Sequence, residues 1–328
     1  MGRLTSPRRI TAWTLVAAGG LIVIGVLGVL ALNHWVYTPA RAALGYLTAV
    51  GNGDSHRALA LLNPRGLDSA NRAALSKRVL SGASDLPEDF DLAGTRELSD
   101  GRVAVTYDYT LNDSRASATF VAEKGPSRWL VFNDWRLRPE KLPRLTITVP
   151  GSSTVAINGV RLELGSSTQS LPVLFPATYT VGYSSKYVRA SPESVTVSSH
   201  TATPDDVTLS LTATPALGRE VHRQIKASLT ACADATVLAP SGCPFAVNND
   251  NKILGRVSWT INKVPTVELS RAHGAWVMAD ATGEATASGT EMDIVTAKKS
   301  KFRTSSTFEY SATVRIADGR VLVMPKFD

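Results

Sequence analysis

The sequence predicts an α+β protein in which three folded modules follow one apolar N-terminal helix. Three observations carry this prediction: an uncharged apolar run opens the chain, helical spacing gives way to strand alternation in its first and last parts, and the middle part alternates as strands alone. The chain has 328 residues. About 295 of them follow the apolar run, which is enough for two or three domains with cores of their own.

The apolar run extends from Ile10 to Asn33 and contains no Asp, Glu, Lys, Arg or His. About 20 apolar residues in a helix cross the hydrocarbon core of a bilayer, because their backbone hydrogen bonds all close within the helix. Arg3, Arg8 and Arg9 precede the run, and the next Lys or Arg is Arg41. The positive-inside rule therefore predicts a single-pass protein of the cell membrane, with residues 1–9 cytoplasmic and the later modules extracytoplasmic.

A cleaved signal peptide is the alternative interpretation of this run. Ala40-Arg41-Ala42 fits the small-x-small pattern of a cleavage site. However, the run is longer than the ~7–15 apolar residues of a typical signal peptide. Cleavage at this site would also cut into the first helix of the next module, so we expect the anchor to be retained.

Charge and motifs exclude several classes of function. The formal net charge is +7, and three of the positive charges precede the apolar run, so the remaining excess is too dilute to indicate nucleic acid binding. The five histidines are scattered, with no partner at metal-site or catalytic-triad spacing. No phosphate-binding loop, nucleophile elbow or zinc-protease motif occurs. We therefore expect no catalytic residue, no cofactor and no metal.

The two cysteines, Cys232 and Cys243, both lie in the part predicted to be extracytoplasmic. In an oxidising compartment such a pair most often forms a disulfide. On the chain-entropy model, closing so short a loop stabilises the fold by somewhat less than ~3 kcal/mol.

The first module is predicted over residues 38–139 and begins with helices. Thr38-Pro39 is typical of a helix start, with Thr at the N-cap and Pro at the first helical position. Asp54 can cap a second short helix, and Asp68 can cap a third that ends at Gly82. We therefore expect three helices before the first strand.

Strand alternation follows in the same module. Apolar residues recur at every second position over Val103–Leu111, and two further strands are predicted at Ser114–Lys124 and Arg128–Arg138. The opening phrase T-P-x-x-A-x-x-x-Y-L-x-A-V-x-x-G-D and the later R-W-L-V strand resemble the NTF2-like domains of bacterial envelope proteins. This resemblance implies helices packed on a curled antiparallel sheet that can enclose a pocket.

Some NTF2-like relatives use a pocket carboxylate as a base, and Asp134 is the candidate here. Alternation places Asp134 on the same strand face as Leu130 and Phe132. Burial would raise the pKa of its carboxyl, which could then abstract a proton. The alternative is an ordinary strand residue that meets an arginine or a backbone amide.

The middle module, over residues 141–212, is predicted to be all-β. Asn158-Gly159 is typical of a two-residue hairpin turn, and the resulting register pairs Ile157 with Val160 and Val155 with Leu162. The phrases V-x-I-N-G and F-P-x-x-Y-x-V resemble the small immunoglobulin- or PEGA-like domains of surface proteins. This resemblance implies a small β-sandwich that acts as a spacer.

The last module, over residues 214–328, repeats the pattern of a helix followed by strands. Its helix starts at Thr214-Pro215, and helical spacing predicts one apolar stripe, formed by Leu217, Val221, Ile225, Leu229 and Cys232. Asp318-Gly319 should turn the last hairpin so that Val321 lies opposite Ile316 and Val323 lies opposite Val314. A helix on an antiparallel sheet resembles an NTF2- or cystatin-like domain, and the repeated Thr-Pro opening suggests a diverged duplication of the first module.

Four cations in this module form the only dense basic cluster of the sequence. They are Lys298, Lys299, Lys301 and Arg303. Such a cluster could contact an anionic wall polymer or a lipid headgroup. The alternative is a solvated loop between two strands.

The complete layout resembles the membrane-anchored TcaA/YvbJ-type envelope proteins of Gram-positive bacteria. Those proteins carry a cytoplasmic zinc ribbon, whereas the nine residues before this apolar run contain no cysteine. We expect a non-catalytic binding or scaffold protein that contacts cell-wall components or a membrane protein complex. The alternatives are a small-ligand binder or enzyme that uses an NTF2-like pocket, and an accessory subunit of a secretion or division complex.

Overall fold

The computed structural model describes residues 21, 23–32, 35–67, 72–126, 134–138, 141–272, 274–317 and 319–326. Strands outnumber helices among them, and the architecture is α+β, as the sequence predicts. After residue 38, the described α-helices are α1 (Pro39–Gly51), α2 (Ser55–Leu62), α3 (Lys77–Ser81) and α4 (Pro215–Ala233), and a 3₁₀ turn (Arg72–Leu75) precedes α3.

Seventeen strands form four sheets within the described residues. The strands are β1 (Glu88–Glu97), β2 (Val103–Leu111), β3 (Ser114–Lys124), β4 (Trp135–Leu137), β5 (Arg144–Thr148), β6 (Thr154–Ile157), β7 (Val160–Glu163), β8 (Thr168–Pro172), β9 (Ala177–Ser184), β10 (Val188–Val197), β11 (Val207–Thr208), β12 (Leu211–Ala213), β13 (Lys252–Lys263), β14 (Leu269–Ala272), β15 (Ala275–Met292), β16 (Lys299–Ala317) and β17 (Arg320–Lys326). The sheet orders are β1-β2-β3-β4, β12-β10-β9-β6-β7, β11-β5-β8 and β13-β15-β16-β17, with β14 paired to β15.

The chain divides into two compact units. The first contains the described residues of Met1–Thr148 together with Ser152–Gly182 and Pro192–Thr208. The second contains Val149–Gly151, Tyr183–Ser191 and the described residues of Leu209–Asp328. Most of the predicted first and middle modules therefore belongs to one unit.

Two helices of the first unit, α1 and α2, begin where the sequence predicts. The Thr38 hydroxyl accepts a hydrogen bond from the Arg41 amide at 3.3 Å, and the Asp54 carboxylate accepts one from the Arg57 amide at 3.1 Å. Both side chains thus satisfy amides that have no partner within their helix. The third helix differs from its prediction, because a 3₁₀ turn and the short α3 replace one continuous helix. Its predicted cap, Asp68, lies outside the described residues.

An aromatic cluster forms the centre of the first unit. The Tyr46 hydroxyl donates a hydrogen bond to the Phe175 carbonyl at 2.6 Å. The rings of Phe120 and Phe175 stack with centroids 5.9 Å apart, and the Tyr46 ring contacts both. Phe175 comes from the predicted middle module and the other two residues from the predicted first module, so the two stretches contribute to the same core.

The second unit has the predicted helix stripe at its core. All five stripe residues of α4 are buried and pack with Trp259, Phe308 and Tyr310 of the sheet. Cys232 ends the stripe, and its Cα lies 5.8 Å from that of Cys243, with the two residues joined as a disulfide.

Both predicted hairpin registers are confirmed. Ile157 pairs with Val160, and Val155 pairs with Leu162, across the Asn158-Gly159 turn. In the last hairpin Ile316 pairs with Val321, and Val314 pairs with Val323.

Several strands are longer than the sequence predicts, and β1 is not predicted at all. The sequence of β1 is polar, and most of its side chains are exposed at the edge of the sheet, so no apolar alternation marks it. Strand β15 has 18 residues, and only its first part, around Trp276 and Met278, has the apolar alternation that predicts a strand. The remainder of β15 is rich in Ala, Gly and Thr, which weakens the alternation on which strand prediction depends.

The predicted membrane segment Ile10–Asn33 falls partly outside the described residues, which omit residues 10–20, 22 and 33. Residues 23–32 are helical, and nearly all of their side chains are exposed. Within the described part of the chain, no helix has both the length and the apolarity needed to span a bilayer.

Candidate functional site

A cleft of about 770 Å³ lies in the first unit, where α1 and α2 face β3 and β4. Asp134 lies on its wall, immediately before β4. The other polar lining side chains are Asn63, Glu123 and Arg136, and the apolar ones include Leu61, Trp135 and Leu137. We refer to this feature as the Asp134 cleft.

The carboxylate of Asp134 is engaged by an arginine. Its Oδ2 accepts a hydrogen bond from the Arg136 Nε at 2.8 Å and lies 2.6 Å from the Nη2 of the same guanidinium. Glu123 is directly opposite Arg136 in the β3–β4 register. A Cβ added to Gly125 would lie 3.0 Å from the Arg136 Nε, so the absence of a side chain at Gly125 allows the guanidinium to lie close to the backbone.

The contact with Arg136 agrees with the alternative interpretation, in which Asp134 is a strand residue that meets an arginine or a backbone amide, although Asp134 lies just before β4 and not within it. The Asp134 side chain is 29% exposed. A partly exposed carboxylate with an arginine partner can still accept hydrogen bonds from a polar group in the cleft. The face that Asp134 was predicted to share with Leu130 and Phe132 lies outside the described residues.

The cleft combines a flat apolar surface with charged groups. The Lys124 ammonium lies 5.4 Å from the centre of the Trp135 ring, which is a cation–π distance. Among the described lining residues Glu123 and Asp134 accompany Arg136, and Lys124 lies against Trp135, so charges of both signs border the cleft. Such a surface can bind a small ligand that offers a ring or aliphatic part together with hydrogen-bond donors.

A second cleft, of about 640 Å³, lies on the other side of α2 in the same unit. It shares Ala60 and Asn63 with the Asp134 cleft, but the charged side chains among its described lining residues are the basic ones of Arg72 and Lys77. Nothing in the sequence pattern marked this cleft, because its lining combines α2 with the residues that follow it and with the start of α3.

The basic cluster of the second unit lies at one end of the long hairpin formed by β15 and β16. Lys298 belongs to the connecting loop, whereas Lys299, Lys301 and Arg303 belong to β16. All four side chains are exposed. The structure therefore places three of these residues in a strand and only one in a loop.

Arg136 was not identified from the sequence as the ion-pair partner of Asp134, although the sequence contains a signal for this pair. Asp134 and Arg136 are two residues apart in the phrase D-W-R, and that spacing places two side chains on one face of an extended chain.

Among the described residues, no group of three or more His, Cys, Asp or Glu side chains is placed to hold a metal ion. Comparison with known proteins identifies no matching family model, no matching curated protein and no matching solved structure.

Proposed function

We propose that this protein is a single-pass, membrane-anchored binding or scaffold protein of the bacterial cell envelope. Its modules lie on the extracytoplasmic side, contact a cell-wall component or a membrane protein complex, and catalyse no reaction. The uncharged run Ile10–Asn33 carries this proposal, because it is long enough to cross a bilayer and basic residues precede it.

The described part of that run supports an apolar environment. Leu21 is 72% exposed and Ile24 is 68% exposed, and Leu27 and Leu30 are also exposed. Water would have to solvate this surface continuously, at a cost of about 25 cal/mol per Å² of apolar area. Lipid chains around the helix remove that cost. The disulfide between Cys232 and Cys243 also suits an oxidising compartment outside the cytoplasm.

Retention of the anchor is supported by the residues around the possible cleavage site. Ala40, Arg41 and Ala42 lie within α1, and the Ala40 carbonyl accepts a hydrogen bond from the Tyr107 hydroxyl at 3.2 Å. Cleavage after Ala42 would remove this bond and the Thr38 cap. We expect the mature protein to keep the apolar run, and the intact mass of the protein purified from membranes measures this directly.

Protease accessibility tests the orientation. A tag at the C-terminus should be digested when protease is added to spheroplasts that express the full chain, whereas a cytoplasmic marker protein should remain intact in the same sample. Photo-crosslinking from exposed positions, followed by mass spectrometry, would then identify the partner. Protection of the tag in spheroplasts whose outer surface proteins are digested would contradict the proposal.

Small-ligand binding in the Asp134 cleft is the second candidate function. The observation that favours it is the grouping of Trp135, Arg136 and two carboxylates on one cleft wall. A ligand that binds the folded protein raises its melting temperature, so a metabolite screen by thermal shift can detect it. The shift should disappear in Trp135→Ala and persist in Lys77→Gln, which alters only the second cleft. A ligand whose shift survives Trp135→Ala binds elsewhere.

A further inference from the structure

The loop that joins β15 to β16 exposes two large apolar side chains. Ile294 is 69% exposed and Val295 is 88% exposed, the highest value for a large hydrophobic residue in the described part of the chain. Both residues lie at the end of a hairpin that continues over 15 cross-strand pairs. We call residues 293–298 the hairpin apex.

The hairpin apex is held in shape by its own hydrogen bonds. The Asp293 carboxylate accepts bonds from the amides of Val295, at 2.9 Å, and Thr296, at 2.7 Å. The Asp293 amide donates to the Lys298 carbonyl at 3.0 Å, and the Ala297 amide donates to the Asp293 carbonyl at 3.0 Å. The two apolar side chains are therefore presented by an ordered turn, and the negative charge of Asp293 is engaged by backbone amides.

Cations lie next to the hairpin apex along one face of the sheet. Lys299, Lys301 and Arg303 alternate along β16 with Phe302, which is buried on the opposite face. Lys252 joins them, because it pairs with Met292, which in turn pairs with Lys299, and directly paired residues share a face. With Lys298 of the loop, these residues make five cations, and none forms an ion pair within the described residues.

The nearest strand carboxylate lies on the other face. Glu291 pairs with Ser300 in the register, and it accepts hydrogen bonds from the Asn249 amide nitrogen at 2.8 Å and from the Ser300 hydroxyl at 3.2 Å. Glu291 is therefore occupied away from the cationic face. The end of the hairpin thus presents two exposed apolar side chains, those of Ile294 and Val295, next to five cations.

We propose that the hairpin apex docks on an anionic phospholipid bilayer, with Ile294 and Val295 in the interfacial region and the five cations against lipid phosphates. A bilayer offers a layer of anionic groups directly above an apolar layer, which matches the order of charges and apolar groups along this hairpin. A hydrophilic anionic wall polymer would match the cations but would leave the apolar pair in water. The inference deepens the proposed function and rests on its membrane anchor, which keeps the second unit near a bilayer.

A fluorophore at the apex tests this docking in the full chain. The two native cysteines are disulfide-bonded, so a single Val295→Cys substitution creates one labelling site for an environment-sensitive dye. The labelled protein is reconstituted into vesicles of phosphatidylcholine alone or of phosphatidylcholine with phosphatidylglycerol. A label at Leu322→Cys is the matched control, because Leu322 is also exposed but pairs with Arg315, near the far end of β16.

We expect the emission at position 295 to shift to shorter wavelength and rise several-fold in vesicles that contain phosphatidylglycerol, and spin-labelled lipid should quench it. The change should be much smaller in phosphatidylcholine alone, at high salt, and in the variant Lys298→Gln/Lys299→Gln/Lys301→Gln/Arg303→Gln. Each of these conditions weakens the attraction between anionic lipid headgroups and the cations next to the apex. The label at position 322 should report water throughout.

Three other outcomes have distinct meanings. Aqueous emission at position 295 in anionic vesicles overturns the docking and leaves the proposed function intact, provided the chain resists extraction by alkaline carbonate. Extraction of the chain from the membrane by carbonate contradicts the anchor and hence the proposed function. In that case the response of the label at position 295 to added anionic vesicles still decides whether the apex binds lipid. A label that responds to soluble poly(glycerol phosphate) and not to vesicles identifies an anionic polymer as the occupant and overturns the docking.

Discussion

At the scale of single residues, Asn158 shows how one side chain can serve both a turn and the tertiary structure. Its φ of 50° is the left-handed conformation that the predicted Asn-Gly turn requires. Its side-chain amide donates to the Val79 carbonyl of α3 at 2.6 Å, and its side-chain oxygen accepts from the Thr180 amide at 2.7 Å. The turn was predictable from two adjacent letters, whereas its bond to α3, 79 residues away, was not.

This double role gives a testable difference between two turn residues. Asn158→Gly keeps the backbone conformation and removes both side-chain bonds, so it should lower the free energy of unfolding by about 1–3 kcal/mol. Asp113→Gly is the control, since Asp113 also has a positive φ and its side chain makes no hydrogen bond within the described residues. Urea denaturation of both variants measures the difference, and equal stabilities would contradict the structural role of the Asn158 side chain.

Tyr109 gives the first unit a dependence on high pH. Its hydroxyl donates to the Ser198 carbonyl at 2.5 Å, and burial raises the pKa of the phenol to about 12. The unfolded chain has a phenol pKa of about 10, so the folded state binds the proton more tightly. The resulting stability is fully present below pH 10 and is lost as the pH rises through 12.

We therefore predict that the free energy of unfolding falls above pH 10, with a contribution from Tyr109 of about 1.4 kcal/mol per pH unit. Tyr109→Phe should be less stable at pH 8 but should show a shallower decline. Tyr46 and Tyr179, whose pKa values burial also raises, remain in both proteins, so the difference isolates Tyr109. Parallel curves for the two proteins between pH 10 and 12 would exclude this titration as the cause.

At the scale of elements, the long hairpin formed by β15 and β16 contains two cross-strand pairs of phenylalanine and glycine. Phe308 lies opposite Gly283, and Phe302 lies opposite Gly289. A Cβ added at Gly283 would lie 2.2 Å from the Phe308 ring, so the ring occupies the space above the glycine. Aromatic cover of a strand glycine in this way stabilises a residue type that otherwise weakens a sheet.

Two glycine-to-alanine variants of the second unit should therefore have opposite effects. Gly283→Ala forces the Phe308 ring from its position and should lower the free energy of unfolding by about 1–3 kcal/mol. Gly218→Ala, within α4, meets nothing within 4 Å and should raise it by about 0.5–1 kcal/mol. Thermal denaturation compares the two, and a stabilising Gly283→Ala would show that the ring does not fill this space.

The disulfide pins the loop after α4 to the buried stripe of that helix. Cys232 is the last member of the stripe, and its partner Cys243 lies 11 positions further along the chain. On the chain-entropy model, a disulfide that closes a loop of this length contributes somewhat less than ~3 kcal/mol.

Replacing both cysteines with serine should lower the free energy of unfolding of the second unit by about that amount. Reductant should destabilise the native protein similarly and should leave the double variant unchanged, which is the internal control. Free thiols in protein isolated without reductant would contradict the disulfide and weaken the assignment to an oxidising compartment.

At the scale of the whole molecule, the compact units group the predicted modules in a way that the sequence did not suggest. Pro139 and Pro143 lie at the boundary between the predicted first module, residues 38–139, and the predicted middle module, residues 141–212. The Phe175 ring, however, stacks on Phe120, and the Phe175 carbonyl accepts a hydrogen bond from the Tyr46 hydroxyl. The stretches on either side of these prolines therefore share one core.

A fragment comparison tests this shared core. Residues 35–139 expressed alone should show no cooperative unfolding transition, because they lack Phe175. In the full chain, Phe175→Ala should lower the free energy of unfolding by about 3–5 kcal/mol, whereas Leu92→Ala, at an exposed position of the same unit, should change it by less than about 0.5 kcal/mol. A cooperative fragment as stable as the first unit of the full chain would show that the first module folds independently.

The candidate sites were only partly predictable. Asp134 and the four cations were found from alternation and charge density, which are local properties of the chain. The ion pair of Asp134 with Arg136 was within reach of the same reasoning. By contrast, Lys252 joins the cationic face through a strand more than 40 residues earlier, and Ile294 and Val295 are notable only because the turn leaves them uncovered.

The sequence by itself determined the α+β class, two hairpin registers, the α4 stripe and two helix caps. Each of these depends on residues a few positions apart, where backbone geometry dictates which side chains share a face. Only the tertiary structure decided the edge strand β1, the length of β15, the shared core around Phe175 and the cationic face around the hairpin apex. Those features arise from contacts between residues distant in the chain, and short-range periodicity carries no information about such contacts.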